Sequence, residues 1–306
     1  MKTIDPTVAA LVTAYRTCEF TTLGRDGTPL TWPTAAQLRE DGTLLVTTSL
    51  AFAQKAINVR RDGRVALLFS DPTGSGLTDA PQVFIAGTAV CPDEIMTGPN
   101  GAEEYWRILF ERQPHSRAYV RPPARWFMEW YYLRLLITVT PTDVSVRPPL
   151  EELLRAEPPG TATVSDAPPG AELLARFPSA VLGARDESGA PLLMRVRPVT
   201  TEGGFRVAPE CEVTPGPASL LVHEHNDELA AVRNALIRGE LRKDGDGWLL
   251  VPSKVVEPGS TSTPQDAIRT LRRVQKATKR YVNRRDLPRP RVRWSEFQAL
   301  ARPRGE

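Results

Sequence analysis

The residues best equipped for chemistry lie in one stretch, Thr47-Thr48-Ser49 followed by Gln54-Lys55-Ala56-Ile57-Asn58. The apolar run Leu44-Leu45-Val46 reads as a strand that ends on these hydroxyls. A short helix follows, with Lys55 and Asn58 one turn apart. Hydroxyls at a strand end, backbone N–H groups at a helix start and one ammonium are the parts of an anion-binding corner. The same residues also suit an N-capped surface helix with solvated charges. The local pattern leaves both readings open.

The surrounding elements must position that corner. Asp5-Pro6 reads as an N-cap with Pro at the first helical position, and Val8, Leu11, Val12 and Tyr15 then recur at helical spacing. Strands are expected over Phe20–Leu23, Pro29–Leu38, Thr43–Thr48, Val65–Ser70, Val83–Val90 and Leu133–Val146, the last bent at Pro141. Arg25-Asp26-Gly27 and Asp41-Gly42 are tight turns, and Asp71–Pro81 is a loop. A helix is expected over Ala102–Glu111. Hairpin turns at short spacing argue for a barrel rather than a doubly wound sheet. No GxGxxG follows a strand and no Walker pattern occurs.

Past a Pro/Gly-rich linker, with one helical turn expected at Leu150–Leu154, the pattern recurs in the same order. Arg25–Leu30 is matched by Arg185–Leu192, Asp41–Val46 by Glu202–Val207, Val65–Phe69 by Ala218–Val222, and Ile85–Val90 by Ile237–Leu241. The copies differ at the corner. Where the first has the Lys55 helix, the second has only Ala208–Pro217, which is shorter, acidic, broken by Pro and free of Lys and Arg. A part absent from one copy is dispensable to a barrel, so a ligand explains it better than folding does. The chain is therefore expected to hold one such site, not two.

These residues resemble the pyridoxamine 5'-phosphate oxidase-like, flavin-binding split-barrel superfamily. The carriers are Gly27-x-Pro29 followed by Trp32-Pro33-Thr34, then Leu45–Ser49, Gln54–Leu67, and Val83-x-x-x-Gly87-x-Ala89. The resemblance is best over residues 18–91, extends to 147, and is faint beyond. It implies a mainly β fold with inserted helices (α+β): two tandem split β-barrels forming an intramolecular pseudo-dimer. The divisions expected are a split barrel over 1–147, a linker over 148–171, and a degenerate second barrel with a basic C-terminal helix over 172–306. It also implies a flavin mononucleotide (FMN) whose ring lies against Trp32, Pro33, Thr34 and Ala35, and whose phosphate meets Thr47, Thr48, Ser49 and Lys55, with Gln54 and Asn58 beside it. The family commonly carries Arg where this chain has Gln54, so one phosphate charge is lost. Some relatives use a deazaflavin, and some bind haem. The function implied is hydride transfer between cofactor and a small-molecule substrate, in which the protein supplies binding and orientation. The alternatives are a deazaflavin-dependent reductase and a non-enzymatic cofactor-binding protein on a decayed barrel. No catalytic triad or paired carboxylate is found, so no catalytic residue is assigned.

Other features carry less. Trp126, Phe127, Trp130, Tyr131 and Tyr132 either pack the first barrel's last strand or wall a ligand pocket. His223 and His225 share one face of a strand, but no third ligand is signalled, so neither a metal nor haem is expected there. His115 reads as a solvated loop residue. Residues 269–293 are densely basic, and Ile268, Leu271, Val274, Thr278 and Tyr281 recur at helical spacing, giving an amphipathic helix that docks on a barrel or rims an anionic ligand. With a net charge of +3 and no recognised module, nucleic acid is not an expected partner. Three widely spaced cysteines and no membrane-length apolar run favour a reducing cytoplasm, with the chain a monomeric pseudo-dimer or a homodimer.

Overall fold

The computed structural model describes residues 4–156, 166–230, 232–257 and 264–302. Helix α1 (Pro6–Ala14) starts as expected: the Asp5 carboxylate accepts the Thr7 N–H at 2.8 Å and Pro6 occupies the first turn. Then come β1 (Cys18–Leu23), β2 (Pro29–Thr34), β3 (Ala36–Leu38) and β4 (Leu44–Ser49). A 3₁₀ turn (Leu50–Phe52) leads into α2 (Gln54–Arg61), followed by β5 (Arg64–Phe69) and β6 (Pro81–Val90). A helical insert holds α3 (Glu103–Arg112), a 3₁₀ segment (Pro114–Val120) and α4 (Arg125–Tyr132), and β7 (Arg134–Pro149) completes the sheet.

The segment Pro29–Leu38 is not one strand. It breaks at Ala35, and its two halves lie at opposite ends of the strand order β2-β1-β5-β6-β7-β4-β3. One stretch of chain thus serves both edges, which closes the sheet into a barrel and leaves no long open edge.

After α5 (Leu150–Arg155) and α6 (Ala171–Leu174) the second sheet is built from β8 (Ala180–Arg185), β9 (Pro191–Val196), β10 (Val199–Thr201), β11 (Gly204–Val207), β12 (Gly216–His225), β13 (Val232–Asp244) and β14 (Gly247–Val256). Its order, β9-β8-β12-β13-β14-β11-β10, is that of the first sheet strand for strand. The details repeat as well. Gly87 on β6 and Gly239 on β13 each sit at a register shift where the next strand presses close. A Cβ would lie 2.8 Å from the Thr140 carbonyl oxygen at Gly87, and 2.2 Å from that of Val251 at Gly239. Only glycine admits that approach.

The barrels pack reciprocally. Strand β2 of the first lies on β8 and β12 of the second, and β9 of the second lies on β1 and β5 of the first. Each contact is the counterpart of the other, as in an isologous dimer interface. Ala66, Leu68 and Phe84 meet Val181, Leu193, Leu221 and Leu236 there in a shared apolar cluster. Two seven-stranded split barrels thus form a pseudo-dimer within one chain.

The ornaments are unequal. Helices α2, α3 and α4 all belong to the first barrel, whereas β13 turns directly into β14 at Asp244–Gly247. The two C-terminal helices, α7 (Pro264–Arg284) and α8 (Trp294–Leu300), also return to the first barrel. Sequence order groups them with the second, but Tyr281, Val282, Val292 and Phe297 enter the first barrel's core. Burial of that apolar stripe decides where they dock, and the first barrel alone offers the helical insert they pack against.

Candidate anion-binding corner

Strand β4 runs beside β7, and the register pairs Ser49 with Arg134 and Thr47 with Leu136. All six residues of β4 are buried. The 3₁₀ turn after Ser49 displaces α2, so the hydroxyls do not cap it: Ala53 is the N-cap, with no side-chain hydrogen bond. Thr48 instead donates to the Phe52 carbonyl at 2.9 Å. Thr47 accepts from Arg134 at 2.7 Å and donates to the Tyr105 hydroxyl at 3.1 Å. The Ser49 Oγ is buried and has no hydrogen-bond partner among the described residues.

Helix α2 is tucked inward rather than lying on the surface. Lys55, Ala56, Asn58 and Val59 are all buried. Asn58 donates to Thr22 at 2.9 Å and accepts from Gln54 at 2.8 Å, so both amides are spent on local structure. Lys55 is 9% exposed, and its ammonium lies 5.6 Å from the centroid of the Trp32 ring. Among the described residues no carboxylate pairs with it. Burial, reinforced by the Arg134 charge and slightly opposed by Cys18, pulls the Lys55 pKa down to about 8.

Arg134 completes the corner. It is 9% exposed, donates to the Tyr131 carbonyl at 2.8 Å, and its guanidinium lies 4.5 Å from the Tyr131 ring centroid and 4.9 Å from that of Trp106. It too has no carboxylate partner among the described residues. Two buried cations that raise each other's energy, with an orphaned hydroxyl on the same strand pair, leave negative charge to be supplied from outside the fold. Of the expected residues, Thr47, Ser49 and Lys55 flank this point. Trp32 stands under Lys55, while Pro33, Thr34 and Ala35 continue half-buried along β2 to the break.

Arg134, Tyr105 and Trp106 escaped the sequence reading. A lone Arg opening the apolar run Leu133-Arg134-Leu135-Leu136 was the available signal. The aromatic run before it forms helix α4. Tyr132 stacks on Trp106 at 5.0 Å in the core, whereas Trp126 and Phe127 face outward. His115 is half-buried against the edge of Tyr119 rather than solvated. His223 and His225 do share a face, with rings 6.5 Å apart and near parallel. They turn inward: His223 meets Glu19 at 2.6 Å and His225 meets Thr17 at 3.0 Å. Among the described residues no group of three or more His, Cys, Asp or Glu is placed to hold a metal, and no helix is long and apolar enough to cross a membrane.

Topology defines the class as a tandem split-barrel protein. No protein-family profile and no curated protein matches the chain. Solved structures do. A putative pyridoxamine 5'-phosphate oxidase from Listeria innocua is 16% identical, covering 46% of this chain and 94% of its own, with a TM-score of 0.31. An F420 reductase is 22% identical, covering 46% and 98%, with a TM-score of 0.33. The heme storage protein HutZ from Vibrio cholerae is 12% identical, covering 49% and 99%, with a TM-score of 0.32. Each is matched over nearly its whole length and over about half of this chain. The two seven-stranded sheets of one strand order agree with the tandem split barrels expected from the sequence.

Proposed function

We propose that the corner formed by Lys55, Arg134 and Ser49 holds the anionic group of a flavin-type cofactor, and that the chain is a flavin- or deazaflavin-dependent oxidoreductase. The observation that carries this reading is the pair of buried, unneutralised cations beside the half-buried Trp32 ring. Burying a charge is costly unless it is paired. A fold that keeps Lys55 and Arg134 together with no carboxylate among the described residues stores that cost until an anion arrives. When bound, the cofactor supplies the hydride chemistry. The chain's own residues bind and orient: Lys55 and Arg134 provide charge, Ser49 a free hydroxyl, and Trp32 an aromatic wall.

A second reading is a binding protein without turnover. It draws on Gln54, whose amide is committed to Asn58, and on Thr47, whose hydroxyl is already held by Arg134 and Tyr105. Both reduce the donors left for a phosphate.

The test is to purify the protein, identify any co-purifying ligand by mass, and titrate FMN and a deazaflavin while recording visible spectra. Saturable binding that Lys55→Met weakens by about tenfold or more supports the corner, since a charge-assisted contact contributes roughly 1–3 kcal/mol. Absence of micromolar binding of either cofactor refutes it. Binding without reduction of any acceptor selects the second reading.

A further inference from the structure

A cleft of about 520 Å³ lies outside the first barrel, between α4 and α7, and Arg289-Pro290 help line it. That volume falls within the range of small-molecule pockets, about 300–1,000 Å³. One wall is aromatic: Trp126, Phe127 and Trp130 all line it. Trp126 is 65% exposed and Phe127 52% exposed, an unusual outlay of apolar surface on two neighbouring residues. The facing wall, from α7, carries Lys279 and Asn283 beside the apolar Val282. The charges there are unequal. Arg289 is neutralised by Glu129 at 3.3 Å, whereas no carboxylate pairs with Lys279 among the described residues.

The cleft is distinct from the anion corner. Leu133 lines the cleft, while its neighbour Arg134 points the other way, onto Thr47, Trp106 and Tyr131. The 3₁₀ turn Leu50–Phe52 and the start of β7 stand between the two, joined where the Leu50 N–H donates to the Leu133 carbonyl at 3.1 Å. Phe52 packs edge-on against Trp130 from that side, at 6.2 Å.

We propose that this cleft is a second ligand site, taking a planar aromatic molecule that bears one carboxylate or comparable anionic group. The ring lies against Trp126 and Phe127, where flat faces gain both buried area and ring contact. The anion meets Lys279, with Asn283 able to donate beside it. The corner's cofactor is not involved, so the site stands whether or not that reading holds.

The probe is 2-naphthoate, followed by quenching of tryptophan fluorescence and by calorimetry on the full chain, with neutral 2-naphthamide as its match in shape. The expected result is saturable naphthoate binding, with the amide about tenfold weaker for want of the charged contact. Lys279→Met should abolish the preference for the acid, and Trp126→Ala should weaken both compounds. Lys55→Met should leave naphthoate binding unchanged. Lack of saturable binding at millimolar naphthoate overturns the proposal, as does binding indifferent to Lys279→Met and Trp126→Ala, or binding lost in Lys55→Met. A dimer that Trp126→Ala converts to monomer also overturns it, by showing that a second copy covers the aromatic wall.

Discussion

Glu19 of the first barrel accepts a hydrogen bond from Arg195 of the second at 2.9 Å, with both side chains at least 95% buried. His223 of the second barrel shares the same carboxylate oxygen, and Ser70 donates to it at 2.8 Å. This is the polar centre of the barrel interface, set among the apolar contacts of Leu68, Leu193 and Leu221. Removing one partner strands the other's charge in a dry site. Arg195→Met should therefore cost about 3–5 kcal/mol, whereas Glu19→Gln combined with Arg195→Met should cost much less. Urea unfolding of the single and double variants measures this. Burial pushes the Glu19 carboxyl up, but Arg195 and the hydrogen bonds from His223 and Ser70 outweigh it, and the net direction is down. A lowered carboxyl contributes stability that is present above its unfolded pKa and lost as pH falls through its folded one. The wild type should lose stability below about pH 4.3, the ordinary Glu value, and Glu19→Gln should flatten that limb of the curve.

Lys55→Met should stabilise the ligand-free protein. The fall of the Lys55 pKa from its ordinary 10.5 to about 8 corresponds to on the order of 3 kcal/mol at about 1.4 kcal/mol per pH unit. The direction follows from proton counting. Between about pH 8 and 10.5 the unfolded chain holds the proton and the folded one has released it, so stability rises with pH across that window. Below it the full penalty is present. Methionine fills the same volume without the charge, so the melting temperature should rise by several degrees, at roughly 2–4 °C per kcal/mol. The same variant should lose anion binding. In the wild type, anion affinity should fall as pH rises past about 8. Calorimetric melts with and without the bound anion, at pH 6.5 and pH 9.5, check both halves; a melting temperature lowered in Lys55→Met refutes the stored-cost argument.

Cofactor stoichiometry should be one per chain. The second barrel repeats the first strand for strand, yet Ala208–Pro215 contains no helix where the first barrel places α2. The barrel topology was legible in the sequence because it rests on local signals: turn residues such as Arg25-Asp26-Gly27, and apolar runs recurring in the same order. The register upholds the match of Val65 with Ala218. Glu19 of β1 faces Leu68 as Val181 of β8 faces Leu221, each three residues beyond the matched position. The corner was only half legible. Lys55 and the hydroxyls of β4 are consecutive or nearly so, but Arg134 comes from a strand 79 positions later and is delivered by pairing. The break at Ala35 was hidden because both halves have the same strand-like composition, and only barrel closure requires the corner. A spectral titration yielding two equivalents per chain would show that the second barrel binds without a corner of this kind.

The C-terminal helices should stabilise the first barrel, not the second. Sequence periodicity exposed the stripe of α7 but not its destination, since an amphipathic face carries no address of its own. Tyr281 is 8% exposed and its hydroxyl accepts from Arg60 at 3.0 Å, which ties α7 to α2. Tyr281→Phe removes that bond and should cost about 1 kcal/mol. Tyr281→Ala also opens a cavity and should cost about 3–5 kcal/mol. Hydrogen exchange distinguishes the destination. Protection should fall in α2 and β4 of the first barrel while β12 and β13 stay protected.

Gly87 and Gly239 should tolerate no side chain, and for the same reason in each barrel. Both stand at a register shift, with a carbonyl of the next strand where a Cβ would go, 2.8 Å away at Gly87 and 2.2 Å at Gly239. The intruded atoms at Gly239 are backbone, and at Gly87 the Thr140 carbonyl is joined by the Val139 side chain at 2.7 Å, so a rotamer change alone relieves neither site. Gly87→Ala and Gly239→Ala should each cost about 1–3 kcal/mol from overpacking, with Gly239→Ala the worse because its contact is shorter. The consequences should differ by barrel. Gly87→Ala displaces β7, the strand that carries Arg134 into the corner, so anion binding should weaken along with stability. Gly239→Ala should lower stability and leave the affinity of the folded protein unchanged. Paired melts and titrations of the two variants measure this, and equal losses of affinity would mean that the second barrel contributes to the corner.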